Sequence, residues 1–215
     1  YERYGVQGGD WGAVISSWNA VFAPKQVCGV HLNMMLGRRP EGTKETEQLS
    51  AKEEAWLAQT RRFSRDETGY QRIQGTKPQT RGSGLSDSPA GFAACIFEKF
   101  RIWCDCDGEV ERRFTKDELL TNIMIYWTTN TIASSVRLYC ETARAGHFSS
   151  QGERVDAPTA FAVFPKELAL LPRSWVEPHY NIQRWTEFDR GGHFAALEEP
   201  ELLVEDIRAF FRGLR

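Results

Sequence analysis

Near the start of the chain, Gln7-Gly8-Gly9-Asp10-Trp11-Gly12 sets an aspartate between glycines. A sharp strand-to-helix turn that thrusts one side chain outward needs small residues two before and two after it. Gly8 and Gly12 meet that need, and the backbone N–H of Trp11 is placed to hold a negatively charged oxygen. Taken alone, the stretch reads equally well as a plain turn. A second signal lies far along the chain, in Arg190-Gly191-Gly192-His193-Phe194. A histidine after two glycines is more often a surface turn. This one, however, stands between a strand and the last helix, where a base could serve the aspartate. The third signal is Glu167, in Phe164-Pro165-Lys166-Glu167, just after another strand. A carboxylate there would orient the imidazole and stabilise its charged form. Against it stands the ordinary exposed glutamate. Glu187 and Asp189 are rivals, but both lie very near His193 in sequence.

The order nucleophile, acid, histidine fixes the chemistry to be weighed. An aspartate nucleophile suits attack on saturated carbon, giving an alkyl-enzyme ester that histidine-activated water then hydrolyses. Epoxides and alkyl halides both fit. An epoxide also needs a donor to the opening oxygen, and a phenol with a pKa of about 10 suits an alkoxide. Tyr70 and Tyr139 are the candidates, with Tyr126 as a third tyrosine in the same region.

These residues need elements to position them. Tyr4 to Gln7 reads as a strand and Gly8 to Gly12 as a turn. Ala13 to Phe22 carries Val14, Ile15, Trp18, Val21 and Phe22 at helical spacing, and Pro24 closes it. Val27 to Asn33 reads as a second strand. After Leu36 the pattern changes: Thr46–Phe63, Ser88–Phe100, Lys116–Tyr126 and Thr131–Thr142 read as helices. Loops join them, notably Gly75 to Pro89. Strands return at Pro158–Phe164 and Asn181–Phe188, and Glu199-Pro200 opens an amphipathic final helix. The expected fold class is α/β, with an α-helical insertion. Residues 1–35 form a core segment with the turn at Asp10, 36–151 the insertion, and 152–215 a second core segment with the acid and the histidine.

The bulk numbers frame this. The 215 residues are 41% hydrophobic and 26% charged, which suits one soluble globular domain with an insertion. A net charge of −2 with no basic run argues against a nucleic-acid surface. Five cysteines, an odd number, do not look like a disulfide scaffold. Cys104-Asp105-Cys106 lacks the further ligands of a tetrahedral metal site, and the following Asp107-Gly108 does not complete a calcium loop. No metal and no cofactor is expected. No apolar run reaches the roughly 20 residues of a membrane helix.

The sequence resembles the epoxide hydrolases of the microsomal type, within the α/β-hydrolase superfamily, over nearly its whole length. The matching stretches are Gln7 to Gly12, His31-Leu-Asn-Met34, Thr76-Lys-Pro-Gln-Thr80, Leu85 to Gly91, and Glu98-Lys-Phe100. They continue through Asp117 to Asn122, Tyr126-Trp-Thr-Thr129 and Arg190 to Ala196. The resemblance implies the C-terminal part of an α/β-hydrolase fold, with the helical insertion as a lid. It implies Asp10 as nucleophile, His193 as base, Glu167 as its partner, and Tyr139 and Tyr70 as donors to the epoxide oxygen. The N–H of Trp11 would be an oxyanion donor. The partners would be a small apolar epoxide and water. The first strands and a His-Gly-Trp-Pro-like loop have no match in this sequence, so an N-terminal part is expected to precede it. A sheet lacking those strands would favour self-association through its open edge. A soluble intracellular (cytoplasmic) protein is the expectation, or an endoplasmic reticulum membrane protein if a longer form carries an N-terminal anchor. Two alternatives remain: a haloalkane dehalogenase-like hydrolase, and a non-catalytic fragment or binding module.

Overall fold

The computed structural model describes residues 1–40, 49–146 and 153–214. In chain order the elements are β1 (Tyr4–Gly8), α1 (Trp11–Phe22), β2 (Val27–Leu32), α2 (Ala51–Asp66) and α3 (Gly69–Thr76). There follow α4 (Pro78–Asp87), α5 (Pro89–Trp103), α6 (Lys116–Thr129) and α7 (Ile132–Ala145). The chain closes with β3 (Val155–Val163), α8 (Arg173–Val176), β4 (Tyr180–Glu187), α9 (Ala195–Glu198) and α10 (Pro200–Arg212). They group into two compact units, one of Tyr1–Phe63 with Ser149–Arg215, the other of Ser64–Phe148.

The first unit is built on a four-stranded sheet in the order β1-β2-β3-β4, every neighbouring pair parallel. Parallel neighbours need a crossover, and α1 supplies it between β1 and β2. The inner strands read as near-continuous apolar runs because both faces are covered. Val30, Leu32, Val155 and Phe161 are accordingly buried in one cluster with Ala13, Leu57, Leu170 and Tyr180. Beneath the sheet, Asp206 of α10 is buried and takes hydrogen bonds on both oxygens. His31 Nε2 of β2 lies 3.0 Å from Oδ2, while Arg184 Nε and Thr186 Oγ1 of β4 each donate to Oδ1 at 2.7 Å. Burial works against the Asp206 charge, but these donors outweigh it and hold the carboxyl below its usual range.

The second unit, among the described residues, is helical. Thr115 caps α6 through a reciprocal capping box with Glu118, and Ser88 caps α5 by accepting from Gly91 N at 3.0 Å. Phe92, Ile123 and Ile132 form its buried cluster, packed by Phe97 and Trp127. Phe100 and Trp103 are also buried, so this aromatic set is core.

Some expectations need correction. Gly75 to Pro89, expected as a loop, is mostly helix: α4 runs through it from Pro78. Proline at a first helical position keeps the helix geometry it would break further in. Gly82 is kept small by packing, since an added Cβ would stand 3.2 Å from Ala133 Cα of α7. The second unit begins at Ser64 rather than residue 36, because α2 groups with the first unit as far as Phe63. The expected helix start at Thr46 lies outside the described residues, as does the insertion's expected end at Gln151. Among the described residues, no helix is long and apolar enough to cross a membrane.

Candidate active site

Asp10 follows directly on β1 and Gly9, as the residue before α1. Its φ of 49° and ψ of −128° lie where side chains are seldom found. A Cβ on Gly8 would stand 2.1 Å from the carbonyl of Gly12, so the turn closes only over a glycine. Of these two flanking glycines only Gly8 carries a steric demand; a Cβ on Gly12 would meet nothing within 4 Å. This tight turn leaves the Asp10 side chain 45% exposed.

The two oxygens of Asp10 are held differently. Oδ1 accepts from the backbone N–H of Trp11 at 2.6 Å. Oδ2 faces His193 Nε2 at 2.8 Å, across 183 residues of sequence. On the other side of the imidazole, Nδ1 lies 2.7 Å from Glu167 Oε1. Glu167 and His193 are both buried. The structure therefore brings together Asp10, His193 and Glu167 in one hydrogen-bonded line. The rivals stand elsewhere: Glu187 pairs with Lys52 and accepts from Trp185 Nε1, and Asp189 is an exposed neighbour of Arg190.

With a carboxylate against each ring nitrogen, both nitrogens act as donors, which is the imidazolium form. Burial opposes that charge, but Glu167 and Asp10 more than offset it, and the pKa of His193 is raised to about 10. Removal of the charge on Asp10 would remove part of that support.

Backbone pairing holds the acid and histidine loops together. Lys166 N donates to Gly191 O at 3.1 Å, and Lys166 bridges Gly192 in parallel. Gly191 has a φ of 99°, and a Cβ there would strike the Phe164 ring at 2.7 Å. Two residues of α2, missed from the sequence, clamp the acid loop. Gln59 Nε2 donates to the carbonyl of Glu167 at 2.8 Å. Thr60 Oγ1 donates to Leu170 O at 2.9 Å and accepts from Leu170 N at 3.0 Å. No local motif announces such contacts, which span more than a hundred positions.

Tyr70 and Tyr139 lie in the second unit, on α3 and α7, with ring centroids 5.7 Å apart in an edge-to-face arrangement. Gln71 Nε2 donates to the Tyr70 hydroxyl at 3.1 Å, and Lys99 Nζ stands 4.7 Å from the centre of the Tyr70 ring. Tyr126 instead packs on Phe92, its ring 5.5 Å away. Among the described residues, no group of three or more His, Cys, Asp or Glu is arranged to hold a metal ion.

A sheet of parallel strands with a line of aspartate, histidine and glutamate beyond their C-terminal ends can be compared with solved folds. Over 100% of the chain and 53% of the other, it superposes on the Aspergillus niger epoxide hydrolase with a TM-score of 0.87 at 31% identity. The fold is that of an α/β-hydrolase. The juvenile hormone epoxide hydrolase of the silkworm Bombyx mori shares this α/β-hydrolase fold at a TM-score of 0.88 and 36% identity, over 100% of this chain and 55% of that one. In sequence, the chain is 42% identical to epoxide hydrolase 1 of Oryctolagus cuniculus, over 98% of the chain and 51% of that protein. The chain thus spans about half the length of the curated relatives it matches. No family model matches it.

Proposed function

We propose that this α/β-hydrolase chain carries the reacting side chains of an epoxide hydrolase, which converts a small epoxide and water to a vicinal diol. The observation that carries the reading is His193 held between Glu167 and Asp10, at 2.7 and 2.8 Å. In this reading Asp10 Oδ2 forms a bond to an oxirane carbon, and the ring C–O bond breaks with its electrons on oxygen. The hydroxyls of Tyr70 and Tyr139 hydrogen-bond to that oxygen, and one passes it a proton. The neutral ester removes the charge of Asp10 from His193, which then loses its proton to solvent. As a neutral base, held by Glu167, it takes a proton from water while the hydroxide attacks the carboxyl carbon of Asp10. The oxyanion forms on Oδ1, where Trp11 N–H already donates at 2.6 Å. Collapse expels the diol oxygen, His193 returns a proton to it, the proton left on the new Asp10 carboxyl passes to His193, and the phenol recovers its own from solvent.

The test is to trap the ester. In the protein that carries this chain, His193→Ala is mixed with styrene oxide and digested. The peptide containing Asp10 should gain the mass of the substrate, and Asp10→Asn should gain none. Folded protein that gains no mass from the epoxide, but gains an alkyl group from a haloalkane, would replace this reading with dehalogenation.

A further inference from the structure

Gln7 and Asn33 both lie in stretches that run beside the reacting aspartate, yet neither has a part in the chemistry above. We propose that Asn33, pinned by Gln7, is a positioning residue: it braces the Gly9–Asp10 backbone in its unfavourable conformation and so holds the Asp10 carboxylate against Trp11 N–H and His193.

Sequence register supplies the starting point. β1 and β2 pair in parallel, with Gln7 opposite His31 and Gly8 opposite Leu32. Both strands end there, but the pairing reaches one step further, since Asn33 N donates to Gly8 O at 3.2 Å. Asn33 thus sits beside the turn, just past the strand end. Its side chain is buried and lies directly on Gly9: a Cβ built there would be 2.4 Å from Nδ2 and 2.9 Å from Cγ. No other residue type at position 9 leaves room for that amide. From β1, Gln7 Nε2 reaches across to donate to Asn33 Oδ1 at 2.9 Å, which fixes the amide plane. A buried amide is costly unless it is satisfied, and here the bond also selects one orientation.

The turn needs such support. Asp10 has a φ of 49° and is not a glycine, a conformation that persists only where surroundings enforce it. Gly8 closes the turn on the helix side, through its contact with the Gly12 carbonyl. Asn33 is the contact on the strand side. If it were removed, Asp10 could relax towards an ordinary conformation. Its Oδ2 would then leave His193, which faces Asp10 through Nε2 and Glu167 through Nδ1.

That consequence gives a readout that needs no substrate. The inference rests on the proposed reading for its effect on rate, but not for its effect on His193. In the protein that carries this chain, the His193 ring is titrated by NMR in wild type, Asn33→Ala, Gln7→Met and the double variant. Asn33→Ala should move the midpoint down by at least one pH unit. Gln7→Met should move it the same way by less, and the double variant should match Asn33→Ala, since both changes remove one brace. A single turnover of epoxide should show ester formation slowed about tenfold or more in Asn33→Ala, with KM changed less than about threefold. Folded Asn33→Ala with an unmoved His193 midpoint would overturn the proposal. Gln7 is exposed, so Gln7→Met decides the matter if Asn33→Ala does not fold: an unmoved midpoint there overturns it equally. If the midpoints move as expected but wild type forms no ester with any epoxide, the brace stands and the proposed function fails.

Discussion

His193 carries a charge that its own burial opposes, and the two carboxylates beside it decide the outcome. Its pKa is raised to about 10, so the resting side chain is imidazolium at neutral pH. The stabilisation from this pairing is full below the unfolded value of about 6.5 and is lost as pH rises through 10. Denaturant midpoints of the wild type should therefore fall between pH 6.5 and 10, and a His193→Gln variant should lack that slope. Asp10→Asn removes one of the two charges, so the midpoint of His193 by NMR should drop well below 10; a midpoint that stays would show that Glu167 alone sets it. These three side chains were legible in the sequence because each stands within two residues of a glycine or proline that marks a strand end. Asn33 and Gln59 were not legible in role, since a buried amide makes its contacts through space. The sequence also overstated Gly12, which looks equivalent to Gly8 in the motif yet faces open space.

At the scale of elements, α2 is tied to the loop after β3 through side chains that bond backbone. Thr60 satisfies both the N–H and the carbonyl of Leu170, and that residue is fully buried. Thr60→Val should keep the volume but leave two backbone groups unsatisfied, a loss of about 1–3 kcal/mol in urea unfolding. A loss below the error of the measurement would mean that water reaches Leu170. Element legibility followed the strength of periodicity. α10 was plain because its apolar residues fall on one face. α4 was hidden because Pro78, Gly82 and Gly84 read as loop residues, while the proline stands at a helix start and Gly82 packs closely on α7.

Across the whole molecule, each strand of the sheet delivers one part of the site beyond its C-terminal end: Asp10 after β1, Asn33 after β2, Glu167 after β3 and His193 after β4. The sheet must therefore hold its register, and Asp206 is one tie that does so, joining α10 to β2 and β4. Asp206→Ala would strand the buried His31, while Arg184, 38% exposed, would turn to water, and a loss of about 1–3 kcal/mol is expected in denaturant unfolding. A loss under 1 kcal/mol would show the tie to be dispensable. The sheet order and its pairing of distant segments were beyond the sequence alone, because strand neighbours are chosen by tertiary packing. The division of the chain has a last consequence. The aspartate, histidine and glutamate all belong to the unit made of the two outer segments, while Tyr70 and Tyr139 belong to the stretch threaded between them. Heredity can treat these as separate texts. A lineage could rewrite the inner one by substitution or exchange. The outer one, with its aspartate, histidine and glutamate, would pass down unaltered.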